Sequence, residues 1–298
     1  ISMGCIVLIL QQPHNEDGVT DRGDEGVSVE LREGRGDISV DVVCNSLQGS
    51  LLPCCTSPRL VTLPEGRRTL FVMPTLYVVA TPIGNLRDIT IRALEMLREV
   101  SAIVCEDTRH SSRLLSHHGI RKPLVSGHSH NERQSAAAVV ARLEAGEDVA
   151  YITDAGTPGI SDPGRTLVRV VRDAGYRVVP IPGPSATATI ASVNAFPGKT
   201  VIFEGFLSPK AGRRKGRLKE LLAMGETFIL YESPHRLVKL LTALADLEPE
   251  RDVLLGREMT KMHEEFVEST AKQLLEIMET RPVVKGECVL LVGPAKKG

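Results

Sequence analysis

Four residues able to move a proton or hold a charge, Glu106, Asp107, Arg109 and His110, follow directly on the apolar run AIVC (102–105). This places two carboxylates, a guanidinium and an imidazole at the end of one expected strand. A carboxylate there can act as a general base while the cation holds a phosphate. The same spacing also allows Glu106 and Arg109 to close a purely structural ion pair. Glu232 and His235 in ESPHR, and Lys261 and Glu264 in REMTKMHEE, form a second set of proton-transfer candidates, and the sequence selects no single base among them.

The stretch YITDAGTPGISDPG (151–164) carries a different kind of chemistry. It opens as a strand and then packs three glycines, two prolines and two aspartates into one loop, more than a surface turn needs. Gly156 and Gly159 permit close backbone approach to a ligand, and Asp154 and Asp162 offer acceptors to hydroxyls or fix the loop internally. A neutral or cationic ligand suits these carboxylates better than a phosphate. The alternative is a structural turn between strand and helix.

Several familiar motifs are absent. GKT at 198–200 resembles the tail of a phosphate-binding loop, but Val193 stands where that pattern needs glycine. TPIGNL offers only Gly84, so the dinucleotide fingerprint is missing. His128 and His130 in GHSHN have no cysteines or carboxylates at ligand spacing, and no metal site is expected. Ser185 in PGPSA has no histidine partner in sequence and is not read as a nucleophile. The six cysteines include no C-x-x-C, which fits a reducing cytoplasm better than a disulfide framework.

Elements must position these residues. Apolar strand-like runs alternate with helical spacing: LYVVAT before DITIRALEMLREV, AIVCED before TRHSSRLLSHHG, ERQSAAAVVARLEAG before DVAYITD, and RTLVRVVRDAG before YRVVPIPG. Such alternation implies an α/β fold with a mostly parallel sheet covered on both faces. Ligands in such sheets bind beyond the carboxyl ends of the strands, where TPIGNL, EDTR, DAGTPGISDPG and PGPSA all fall. A turn near AFPGKT separates residues 73–197 from a second α/β set over 198–298, with a ligand cleft expected between the two domains.

Residues 1–72 differ in character. They hold six Arg, no Lys and ten acidic residues, a net −4 against +3 for the remainder, and show no sustained period of 2 or 3.6. Disorder, or a spurious N-terminal extension, is expected there, with the working protein starting at or near Met73. IVLIL (6–10) is too short for an export signal, and no apolar run approaches the roughly 18 residues of a membrane span.

In order along the chain, LYVVATPIGNLRDIT, CEDTR, ITDAGTPGISDPG, PGPSA, FEGFL, YESPHR and REMTKMHEE closely resemble the tetrapyrrole methylase superfamily, in its ribosomal RNA branch. The resemblance covers about residues 75 to 293 and nothing before Met73. It implies two α/β domains with the cofactor cleft between them. It also implies a cytoplasmic homodimer that uses S-adenosylmethionine to methylate the ribose 2′-hydroxyl of a cytidine in the decoding centre of 16S rRNA. By the same resemblance, Gly156, Thr157, Ile160 and Ser161 wrap the cofactor. Pro82, Ile83 and Gly84 form a second wall, Ser185 and Ala186 a third, and Tyr231 and Arg257 close the cleft from the second domain. Some relatives continue into a small helical C-terminal segment, whereas these residues stop five positions after Val292-Gly293, so any RNA contact made there falls outside them.

Methyl transfer is an in-line displacement, and alignment of the acceptor oxygen is the main task. RNA affinity is expected from phosphate contacts by Lys210, Arg213, Arg214, Lys215, Arg217 and Lys219 in KAGRRKGRLKE, the alternative being a solvated helix face. With no Trp and 3% aromatic residues, base stacking contributes little. Two other functions fit less well. A porphyrinoid methyltransferase needs no basic segment, and a non-catalytic RNA-binding module needs no cofactor cleft.

Overall fold

The structure, a computed structural model, describes residues 27–33, 38–44, 59–62, 69–127 and 132–296. The chain divides into two units, Ile1–Val72 and Met73–Gly298. In the first, β1 (Val27–Glu33) pairs antiparallel with β2 (Ile38–Cys44), and β3 (Arg59–Thr62) with β4 (Thr69–Val72). The expectation of disorder over 1–72 otherwise lies outside the described residues. Within these strands VSVELR and ISVDV alternate apolar and polar residues, each over a few positions only. His128 and His130 also lie outside the described residues.

The second unit begins with β5 (Thr75–Val79), α1 (Ile91–Glu99), β6 (Ala102–Cys105), α2 (Thr108–His117), β7 (Leu124–Ser126), α3 (Glu132–Glu144), β8 (Val149–Ile152), α4 (Arg165–Asp173) and β9 (Arg177–Ile181). These strands form one parallel sheet in the order β7-β6-β8-β5-β9. Alternation along each strand sends side chains to opposite faces. Val79, Ile103 and Ile152 meet Leu97 of α1 and Leu114 of α2, while Leu76, Val104 and Tyr151 meet Val139 of α3 and Leu167 of α4. Wholly buried residues such as Leu97 and Ile103 each contribute about 1.5–3 kcal/mol of burial. Thr90 caps α1 and Asp107 caps α2, each accepting a backbone N–H of the first turn.

The chain continues through α5 (Ala186–Ser192), β10 (Val201–Phe206), α6 (Ala211–Ala223), β11 (Thr227–Glu232), α7 (Pro234–Ala245), β12 (Asp252–Arg257), β13 (Glu265–Thr270), α8 (Ala271–Glu279) and β14 (Cys288–Val292). The second sheet runs β10-β11-β14-β12-β13 and is mixed: β10 and β11 are parallel, and the other neighbours are antiparallel. Phe228, Leu230, Leu255 and Leu290 pack on one face under α6, α7 and α8. On the other face, Ile229, Leu254, Val289 and Leu291 pack with Ile190 of α5 and with Ile83 from the loop after β5. The second sheet therefore shares a core with α5 and with the loop after β5.

Candidate functional site

The crevice is set by strand order. β5 and β8 are neighbours, yet the chain leaves β5 through α1 on one face and β8 through α4 on the other. This is a topological switch point, the place where the loops after adjacent strands part and leave room for a ligand. Here the two loops are tied at their roots. Thr81 N–H donates to Gly156 O at 2.9 Å and Gly156 N–H to Thr81 O at 3.0 Å, and Thr81 Oγ1 donates to Thr153 O at 3.1 Å. The third loop joins through Thr157 Oγ1, which donates to Pro184 O at 3.1 Å. Gly156 has φ +78°, and a Cβ there would lie 3.4 Å from Ile83 Cγ2 and 3.9 Å from Pro184 O. A side chain at 156 would be strained in its backbone and set against two walls.

The second half of the unit closes on the same loops. Ser161, itself at φ +62°, places its Oγ against Gly205 of β10. Thr187 Oγ1 and Tyr231 Oη hydrogen-bond at 2.7 Å, and the Tyr231 ring meets Phe203 and Phe206 edge-on. Asn85 N–H donates to Thr260 Oγ1 at 3.1 Å. Gly84 lies so close to Lys261 that a Cβ would sit 2.5 Å from Lys261 Cγ. Gly84, Gly156, Thr157, Ile83, Ser161, Ala186 and Tyr231 are thus tied into one neighbourhood, with Pro82 buried beside them and Ser185 opening α5.

Two of the expected cofactor residues behave differently. Ile160 lines a cavity of about 450 Å³ on the α4 side of the loop, with Val78, Tyr151, Pro158, Val168 and Arg169. Arg257 donates to Glu265 at 2.8 Å and to the carbonyls of Lys285 and His263. Arg281 completes that network on Glu265, and among the described residues none of its hydrogen bonds reaches the loops of the crevice.

The proton-transfer candidates separate by partner. Asp107 caps α2 through Arg109 N and holds the Arg109 guanidinium at 3.1 Å, so the ion pair runs from Asp107 and not from Glu106. These bonds from Arg109 hold the Asp107 carboxyl at about 2, which makes it a weak base. The Arg109 side chain is 88% exposed and His110 is exposed beside it. Glu232 is buried and bound to Arg236, Lys261 is bound to Glu258 and Glu287, and Glu264 accepts Thr260 N–H. Asp154 accepts Asp107 N–H at 3.1 Å.

Asp162 is the residue whose role the motifs understated. Burial, and then the charges of Glu106, Asp154 and Glu287, push its carboxyl up to about 7. The only sequence signal was an aspartate in a glycine- and proline-rich loop beside other carboxylates.

The structure also divides the basic segment. Arg214 is 7% exposed because it shares the inner face of α6 with Leu218, Leu221 and Leu222, and its guanidinium donates to Pro209 O. That burial takes Arg214 out of the surface set. Arg217 is clamped by Glu204 at 2.8 Å and Glu220 at 2.7 Å, and Lys215 is paired with Asp246. Lys210, Arg213 and Lys219 are exposed, with no ion pair among the described residues.

The profile of the family described as Tetrapyrrole (Corrin/Porphyrin) Methylases matches residues 75–275. The chain is 48% identical over 219 residues to the ribosomal RNA small subunit methyltransferase I of Haemophilus influenzae, covering 73% of this chain and 77% of that one. It is 47% identical over 220 residues to the protein of the same name from Pseudomonas aeruginosa, covering 73% and 78%. A cobalt precorrin-4 methyltransferase of cobalamin biosynthesis superposes with a TM-score of 0.54 at 20% identity, covering 74% of this chain and 94% of that structure.

Proposed function

The chain belongs to the family of tetrapyrrole (corrin/porphyrin) methylases, and from that membership we propose that it methylates ribosomal RNA of the small subunit, with S-adenosylmethionine as donor. The acceptor in this reading is the ribose 2′-hydroxyl of a cytidine in the decoding centre of 16S rRNA. The observation that carries the RNA substrate is the 48% identity to a named small-subunit rRNA methyltransferase. Similarity to solved tetrapyrrole enzymes, at 20% and 18% identity, extends to the fold alone.

The residues present fit the donor. Gly156 leaves the meeting point of three loops without a side chain, Ile83 and Ala186 offer apolar surface, and the carboxylate of Asp154 suits a sulfonium cation. When bound, the donor supplies an electrophilic methyl group. The protein's task is to hold the acceptor oxygen in line with that carbon, to exclude water and to give the departing proton a base. In this reading Arg109, on the rim, Lys210, just before α6, and Arg213 and Lys219, on α6, take phosphates of a large substrate.

The working form in this reading is a cytoplasmic homodimer whose subunits use domains 73–197 and 198–298 around one cleft. The test is transfer of labelled methyl from S-adenosylmethionine to small ribosomal subunits, to naked rRNA and to a porphyrinogen, followed by nucleoside digestion. Label in 2′-O-methylcytidine supports the reading. Label only in the porphyrinogen overturns it.

A further inference from the structure

Methyl transfer to a ribose hydroxyl must dispose of one proton, and the rim of the crevice holds few groups free to take it. Most carboxylates there are already engaged. Asp107 is bound by Arg109, Asp154 by a backbone N–H, Glu232 by Arg236, and Glu264 by Thr260 N–H. Asp162 differs from all of these, since it is half-buried and its carboxylate has no hydrogen bond or ion pair among the described residues. It stands between Ser161, whose Oγ touches Gly205 of β10, and the turn that leads into α4.

Charged and titratable groups surround Asp162 from both halves of the unit. Glu106 comes from the end of β6, Tyr151 from β8, Asp154 from the loop after it, Tyr231 from β11, and Glu287 from the segment before β14. Two buried hydroxyls mark the same strand end. Tyr151 is 1% exposed and its hydroxyl has no partner among the described residues, although the charges of Glu106, Glu132 and Asp162 act on it. Thr153 Oγ1 is buried without a partner among the described residues as well. Unsatisfied buried hydroxyls are costly unless something polar completes them.

We propose that Asp162 is the group that accepts the proton of the attacking hydroxyl. The assignment rests on the function proposed above. As the acceptor O–H proton passes to the Asp162 carboxylate, the oxygen–methyl bond forms and the carbon–sulfur bond breaks. The bonding pair stays on sulfur, which becomes a neutral thioether. The raised proton affinity of the carboxyl suits this use, because a base poised near 7 is half ionised at working pH and still strong enough to take the proton.

The experiment compares wild type with Asp162→Asn and Asp162→Glu. Asp162→Asn should bind S-adenosylmethionine within about threefold of wild type by calorimetry while kcat on small ribosomal subunits falls roughly 10²–10⁴-fold. The rising limb of the wild-type pH–rate profile near 7 should vanish in Asp162→Asn and return, shifted, in Asp162→Glu.

A readout independent of activity is the ¹³C carboxyl titration, in which one aspartate of wild type should titrate near 7 and be missing from Asp162→Asn. Thermal midpoints give another. The raised carboxyl contributes stability below its ordinary value of 3.8 that is lost as pH rises through about 7, so Asp162→Asn should melt several degrees above wild type at pH 8 and not at pH 4. Transfer by Asp162→Asn at the wild-type rate, or no carboxyl titrating near 7, overturns the assignment alone. If wild type moves no methyl to any RNA, the functional reading falls and the assignment falls with it.

Discussion

Thr81 and Gly156 exchange both of their backbone hydrogen bonds, at 2.9 and 3.0 Å, across the ends of two parallel strands. This is a short antiparallel bridge laid over a parallel sheet. It forces the loops after β5 and β8 to leave side by side, so that Ile83, Gly156 and Pro184 meet at one point.

Gly156→Val should remove measurable S-adenosylmethionine binding and lower stability by about 1–2 kcal/mol, since φ +78° is costly for any residue with a Cβ. Gly156→Ala should fall between the two. Calorimetry and circular dichroism together test the point. Undiminished affinity in a folded Gly156→Val protein would take the loop out of the binding site.

Replacing Lys210, Arg213 and Lys219 together with Gln should weaken binding to small ribosomal subunits and leave S-adenosylmethionine affinity unchanged. If each touches a phosphate, the slope of log affinity on log salt should flatten by roughly 0.7–0.9 per contact. Arg214→Gln, in contrast, should cost stability without altering the slope, because that guanidinium is buried on the inner face of α6. Equal salt slopes for wild type and the triple variant would move the RNA surface elsewhere.

Glu265 should matter for acid stability. Its bonds to Arg281 and then Arg257 hold its carboxyl at about 2, below the ordinary 4.5. The stability from this depressed value is present above 4.5 and is lost as pH falls through 2, amounting to about 2–4 kcal/mol at neutral pH. Glu265→Gln should therefore lower the melting temperature at pH 7 far more than at pH 2. A difference that does not depend on pH would show that the network contributes packing alone.

A chain beginning at Met73 should transfer methyl groups as well as the full chain and melt within about 2 °C of it. The family match begins at residue 75, and the four buried apolar clusters among the described residues lie within residues 76–292. Activity assays and calorimetry on the two chains decide the matter. Aggregation or loss of activity on truncation would show that residues 1–72 support the rest.

Much of this architecture was legible in local sequence. Runs such as AIVC and VAYI announce buried parallel strands, and the glycines and prolines of DAGTPGISDPG mark the loop that anchors the crevice. The fate of individual charges was harder to read, because it depends on neighbours distant in sequence. Arg213 and Arg214 look alike in KAGRRKG, and only the spacing of Arg214 to Leu218 and Leu221 could have put it on the inner face. Asp107 could have been recognised as a helix cap before TRHSS, which would have removed it from the bases. The unusual proton affinity of Asp162 arises from burial and then from Asp154 on its own loop and Glu106 and Glu287 on two others, and no local pattern encodes that meeting.

The shared core of Ile83, Ile190, Ile229, Leu254 and Leu291 limits how the molecule can move. Swinging the second sheet away from α5 and the loop after β5 would expose these side chains to water, at roughly 1.5–3 kcal/mol for each one fully uncovered. Wide hinge opening of the crevice is therefore disfavoured. At the edge of the crevice Glu258 and Thr260 hold positive φ and are tied by hydrogen bonds to Lys261, Glu264 and Asn85. The loop after β5, α5 and the second sheet should therefore melt together.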